Sequence, residues 1–276
     1  MPSGSRLADV GELGLLAELA RRGLARRIGN DAAELSGGRV VTQDALVEGV
    51  HFRLGWISWR DLGFRAAAVN LSDLAACGAT PDGLVVTLAA PGDTELDDVL
   101  ELYEGLAEAG VPVIGGDTSA ADRLILSVTA LGRSERVPGR GGAQPGDVLV
   151  VTGPLGAAGA AFREQRYSRP PIRLEEGRTL ARTAHAMIDV SDGLAVDAAH
   201  VAARSGCRLL IELDRVPLAD GATIDDLGFG EDYELLAAMP AGDGLAEIGR
   251  CEEGEGVVLL LGGEPAQLPG FEHFRG

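Results

Sequence analysis

Apolar residues along this chain switch repeatedly between helical spacing and short continuous runs, which predicts alternating helices and strands. Leucines and alanines at helical spacing predict an amphipathic helix over residues 12–27. Residues 39–42 predict a short strand that delivers Asp44 to a loop. Ser58 is placed to cap a helix running to about Cys77, with Gly78 as the left-handed residue just beyond it. Asn70 and Asp73, three apart, share one face of that helix. A buried strand is predicted over 83–89, a helix over 95–109, and a strand over 111–114 that ends at the turn Gly115-Gly116-Asp117. A β-rich run over 124–131 completes this half.

Residues 133–144, rich in Gly, Arg and Pro, form the best boundary in the chain. They divide it into a domain over 1–135 and another over 136–276. The second half restarts with a strand over 147–152 and helices over 155–165 and 174–185. A helix over 193–204 is opened by Ser191-Asp192-Gly193, the kind of N-terminus that attracts anions. Strands are predicted over 207–213, 233–237 and 256–261. The alternation of strand and helix indicates an α/β or α+β fold.

Composition narrows the function classes. The chain has 276 residues, enough to bury a real core, with 46% hydrophobic and 24% charged residues. A formal net charge of −18 argues against nucleic acid or an anionic membrane surface as a partner, since both need a basic face. Cys77, Cys207 and Cys251 lie far apart with no CxxC spacing, which predicts reduced thiols, no zinc site and no disulfides. No apolar run reaches the length of a membrane span and the N-terminus has no leader-like apolar stretch, so the expectation is a soluble, cytoplasmic protein.

The candidate chemistry lies in aspartates. Asp31, Asp44, Asp73, Asp117, Asp189 and Asp192 all sit among apolar residues or glycines. Ionised carboxylates in such surroundings are costly unless paired or bound to metal. The chain has no lysine, its 24 basic residues all being arginine. Divalent cations with oxygen ligands, foremost magnesium, are the simplest stabilisers, and magnesium often shares its sites with substrate phosphates. That points to phosphoryl chemistry.

Singly, each aspartate also has a bland structural role. Asp44 and Asp117 suit turns, Asp192 a helix N-cap and Asp189 a strand end. Asp73, mid-helix between Leu71 and Leu74, fits neither a cap nor a solvated face. No Walker A, dinucleotide GxGxxG or protein-kinase signature is present, and the missing lysine excludes mechanisms that need one.

The ordered set GNDAA, VTQDALVEGVHF, AVNLSDLAACGATP, IGGDTS, GRGGAQPGD, DVSDGL and GEDYELL resembles the thiamine-monophosphate kinase family. That family belongs to the ATP-binding superfamily of aminoimidazole-ribonucleotide synthetase and selenophosphate synthetase. The likeness runs over residues 28–274. It implies a two-domain α+β fold and a homodimer that pairs its N-terminal sheets. It also implies ATP as co-substrate, thiamine monophosphate as acceptor and several magnesium ions. The metal ligands would be Asp31, Thr42, Gln43, Asp44, Asp73, Asp117, Asp189 and Asp192. Tyr103, Gly116, Asp117, Arg140 and Ser191 would meet ATP, and His51, Glu231 and Phe271 the acceptor. Asp73, Asp117, Arg140 and Asp192 would be the catalytic set.

The chain departs from the family pattern at Asn30, at Gln43 and at Phe229, and is shorter around 162–182 and 220–228. These changes fall mostly on the acceptor side. Two rival readings are another ATP-dependent enzyme of the superfamily and a nucleotide-binding homologue that has lost catalysis. Selenophosphate synthetases rely on an N-terminal Cys or selenocysteine with a nearby Lys, and the hydrogenase-maturation enzyme on a C-terminal Cys. Neither is present here.

Overall fold

One helix lies between two sheets and determines how the rest is arranged. In the computed structural model, which describes residues 6–26, 28–240 and 244–271, helix α2 (Trp59–Ala76) is that element. Ser58 caps it by accepting the Asp61 N–H through its hydroxyl. From Leu62 to Ala76 only Phe64 and Asp73 are not buried. Such a helix, buried all round, must be packed on more than one side.

The first sheet has five strands in the order β1-β2-β5-β3-β4. They are β1 (Ala33–Glu34), β2 (Arg39–Val47), β3 (Thr80–Ala90), β4 (Val113–Ala120) and β5 (Ile125–Arg133). β3 and β4 are parallel, joined through helix α3 (Leu96–Glu108), and the other pairs are antiparallel. β5 alternates buried Leu126, Val128 and Ala130 with half-exposed residues, so one face meets the core formed with α2 and α3. Each fully buried leucine in that core contributes about 1.5–3 kcal/mol. A Cβ on Gly63 would lie 1.8 Å from the Leu102 carbonyl oxygen, and one on Gly105 would lie 1.9 Å from that of Arg60. Glycine at both positions is what lets α2 and α3 cross so closely.

The second sheet has seven strands in the order β12-β11-β8-β10-β6-β9-β7. They are β6 (Val148–Val151), β7 (Ala186–Asp189), β8 (Arg208–Glu212), β9 (Leu235–Met239), β10 (Ala246–Glu252), β11 (Gly256–Leu261) and β12 (Glu264–Ala266). Helix α6 (Leu194–Ser205) covers one face. The other face receives α5 (Leu174–Leu180) and the C-terminal turn of α2, where Ala75 and Ala76 pack with Met187, Leu235 and Ala237. Helix α4 (Ala157–Arg163) stands at the cleft between the sheets.

Several elements differ from expectation. The first helix, α1, spans Leu7–Arg21, ending where Gly23 adopts φ 69°; Arg27 lies outside the described residues. β2 continues to Val47 because its pairing with β5 extends to Val47 opposite Ile125, so Asp44 is a strand residue and not a loop residue. Gly115-Gly116-Asp117 is likewise strand, inside β4. A Cβ on Gly116 would sit 1.9 Å from the Val86 carbonyl oxygen, so these glycines permit close strand approach and do not make a turn. α4 and α5 are each seven residues, shorter than expected, and β9 starts two residues later than predicted. The strands β1, β10 and β12 have no counterpart in the sequence reading, and of β7 only its end at Asp189 was anticipated.

Candidate active site

α2 brings the carboxylates together. Thr42 on β2 donates its hydroxyl to the Asp73 carboxylate. Asn70 accepts the Asp44 N–H at 3.0 Å and donates to the Ala66 carbonyl at 3.0 Å, which pins β2 to the helix. Ser72 donates to Asp189 at 2.7 Å, pinning the end of β7. Asn70, Ser72 and Asp73, all within about one turn of the helix, therefore bring these contacts to one point between the sheets.

At that point Asp31, Asp73 and Asp189 each present a carboxylate oxygen, all within 4.8 Å of one another. Arg140 donates to Asp31 Oδ1 through Nε at 3.0 Å and through Nη2 at 2.6 Å. Asp31 Oδ2 is buried with no hydrogen-bond partner among the described residues. Asp44 and Asp192 line the same cleft, which encloses about 1180 Å³.

Burial and mutual repulsion raise these carboxylates. Burial first, then the Asp31 charge, pushes Asp189 up to about 8. Burial, then Asp192 and Asp31, pushes Asp44 up to about 6. Asp73 stands well above the usual carboxylate range through burial and the charges of Asp44, Asp189 and Asp31. Asp31 is raised by burial against the opposing pull of Arg140. Hard oxygen donors held together at this cost, with one orphaned oxygen among them, fit a magnesium-sized divalent cation.

The loop 191–193 has its own organiser. Asp197, buried in the first turn of α6, accepts the N–H groups of Ser191 and Asp192, each at 3.0 Å. The sequence reading missed Asp197. Its signal was available, since an aspartate in the first turn of a helix faces the free N–H groups before it.

Of the residues expected to meet the acceptor, His51 accepts the Val47 N–H through Nδ1 at 3.0 Å, and Glu231 is paired with buried Arg65. The Phe271 N–H donates to the Asp192 carbonyl at 3.1 Å while its side chain is 48% exposed. His51, Glu231 and Phe271 all line the cleft, together with Phe162, Tyr167 and Phe229. Those three further aromatics come from segments whose spacing gave no sign of convergence.

Three predicted residues stand elsewhere, and a fourth lines the cleft with its amide turned to the sheet. Gln43 borders the cleft, but its amide is engaged on the sheet, donating to Ser127 Oγ at 2.9 Å and accepting from Thr129 Oγ1 at 3.4 Å. Tyr103 packs half-buried against the first core, and Gly116 and Asp117 lie on β4, exposed at every position. Among the described residues, none of the last three lines the cleft.

This arrangement has relatives. Residues 29–134 match the AIR synthase related protein N-terminal domain, and residues 144–266 its C-terminal domain. The thiamine-monophosphate kinase of Aquifex aeolicus (strain VF5) is 33% identical over 308 residues, covering 98% of this chain and 100% of that protein. The chain belongs to the thiamine-monophosphate kinase family. The family member from Methanopyrus kandleri is 37% identical over 262 residues, covering 84% of each chain. A solved structure, AaThiL complexed with AMPPCP and TMP, superposes with a TM-score of 0.89 at 32% identity, covering 99% of this chain and 100% of that one. Family and two-part α+β fold therefore stand as the motifs implied.

Proposed function

We propose that this chain transfers the terminal phosphoryl group of ATP to thiamine monophosphate, giving thiamine diphosphate. The observation that carries the reading is the convergence of Asp31, Asp73 and Asp189 at a cleft between two sheets, in a chain related end to end to thiamine-monophosphate kinases. The solved relative binds an ATP analogue and TMP, and its whole chain is matched here.

Phosphoryl transfer asks a protein for alignment and charge neutralisation more than for a covalent nucleophile. The acceptor is already a phosphate oxyanion, so no strong general base is needed. Asp31, Thr42, Asp44, Asp73, Asp189 and Asp192 would hold several magnesium ions. When bound, the ions supply the positive charge that lets two polyanions approach. Arg140, anchored on Asp31, offers a further cation beside the phosphates, and the ordered N–H groups at Ser191 and Asp192 fix the loop on that side. His51, Glu231 and Phe271 would receive the acceptor's phosphate or ring.

The same reading assigns ATP and metal binding to residues 1–135, completed by 136–276, in a cytoplasmic homodimer. β4 is an exposed edge strand, and exposed edges invite pairing with a second copy. Such a pairing would bring Tyr103, Gly116 and Asp117 toward a neighbouring copy's nucleotide, which explains their distance from the cleft within one chain. Among the described residues no helix is long and apolar enough to cross a membrane.

A panel assay tests the function. ATP and magnesium are offered with thiamine monophosphate, thiamine, aminoimidazole precursors or selenide in parallel. ADP and thiamine diphosphate are expected with the first alone. Preference for another acceptor, or nucleotide binding with no turnover at all, overturns the reading. Sedimentation at micromolar concentration should give about twice the 28.5 kDa chain mass. A monomer at every concentration removes the second copy from the site.

A further inference from the structure

Arg65 sits in the interior of α2, 1% exposed, where its neighbours Leu62, Ala66 and Val69 are apolar. Its guanidinium is paired with Glu231 and lies 5.1 Å from the centroid of the Tyr167 ring. Nε and Nη1 find no hydrogen-bond partner among the described residues. A buried arginine with unsatisfied N–H groups is a poor choice for stability, since a well-packed apolar side chain does as well or better. Its presence calls for another role.

Both of its partners face the cleft while Arg65 itself does not line it. Glu231 adopts φ 59° and Tyr233 φ 54°, two non-glycine residues held in the left-handed region. The loop is locked against its neighbour, with the Glu231 N–H donating to the Ser191 carbonyl at 2.8 Å and the Tyr233 N–H to that of Val190 at 2.9 Å. A Cβ on Gly230 would lie 2.3 Å from the Ser191 carbonyl oxygen, so the contact requires glycine there. With the backbone fixed, the Glu231 side chain is directed by Arg65. Tyr167 is held from the other side. Arg169, two residues along, donates to Asp61 at 2.7 Å and Glu108 at 2.6 Å and stacks 4.2 Å from the centroid of the Phe64 ring. This network ties the segment between α4 and α5 onto the first domain.

We infer that Arg65 is a positioning residue for the acceptor. It aims the Glu231 carboxylate and the Tyr167 ring together at one end of the cleft, as a paired anionic and aromatic surface. That surface suits an acceptor carrying a cationic or N–H-bearing aromatic ring. The inference rests on the acceptor reading above and adds the residue that sets its selectivity.

The test is a double-mutant cycle on the full chain with Arg65→Met, Glu231→Gln and both together. Arg65→Met is expected to raise KM for thiamine monophosphate about tenfold, equivalent to about 1.4 kcal/mol, with KM for ATP within about twofold. In the Glu231→Gln background the same change should add little. Arg65→Lys, which keeps the charge and loses the flat stacking face, should fall between and serves for the cycle if Arg65→Met does not fold. Tyr167→Leu should also raise KM for the acceptor alone. Additive effects of Arg65 and Glu231, or equal changes in both KM values, overturn the inference while leaving the kinase reading in place. A wild-type protein that ignores thiamine monophosphate overturns the kinase reading first and this inference with it.

Discussion

Ser72 donates a 2.7 Å hydrogen bond to Asp189, a residue 117 positions further along the chain. The bond joins the helix at the centre of the first domain to the last residue of a buried strand in the second. It holds one corner of the carboxylate triangle at the junction of the two domains, so the geometry of the site is tied to the docking of the domains.

Ser72→Ala removes that donor and leaves a buried carboxylate oxygen unsatisfied. The loss is expected to be about 1–3 kcal/mol, or roughly 2–8 °C in melting temperature. Turnover should fall about tenfold or more. Calorimetric melts and kcat on the same preparation check both; unchanged kcat with a lowered melting temperature would mean that Asp189 is structural only.

Asp73→Asn keeps the side chain's shape and an acceptor for the Thr42 hydroxyl, but removes a charge from the cluster. Turnover should drop by a factor of about 100 or more, while the fold, followed by circular dichroism, is retained. Near-normal activity of the purified variant would count decisively against the cluster.

Burial and the neighbouring Asp31 charge push Asp189 up to about 8 in the folded chain, far above the ordinary aspartate range. The folded state therefore holds a proton that the unfolded chain has released over that interval, and the stability this provides is present at low pH and lost as pH rises through about 8. In EDTA the melting temperature should decline from pH 5 toward pH 8, and Asp189→Asn should flatten the decline. Magnesium with an ATP analogue should restore the melting temperature at pH 8 by mass action. A flat EDTA profile for the wild-type chain removes the electrostatic account of the cluster.

Phe271 is 48% exposed at the rim of the cleft, so truncating it should not unfold the protein. Phe271→Ala should weaken thiamine monophosphate binding by roughly 0.5–1.5 kcal/mol of ring stacking, with ATP binding unchanged. Titration calorimetry of each ligand separates the two effects, and an equal loss for both would assign Phe271 to the fold.

Local pattern alone determined the alternation of helix and strand, the capped helix from Ser58, and the set of aspartates that have no business in apolar surroundings. Asp73 was legible because neither a cap nor a solvated face explains a mid-helix carboxylate between leucines. What local pattern could not determine was partnership. Gly115-Gly116-Asp117 has turn composition, yet the parallel pairing of β4 with β3 makes it strand, because glycine serves close backbone approach as well as it serves turns. Gln43 has the chemistry of a ligand and lines the cleft, but that its amide donates to Ser127 across the sheet was not legible from spacing. Phe162, Tyr167 and Phe229 reach one cleft only because α2 is clasped between two sheets, and Arg65 acquires a role only once Glu231 and Tyr167 fold against it. Spacing along a chain encodes which face a residue occupies; which residues meet across faces is decided by long-range packing, and that is where this site was assembled.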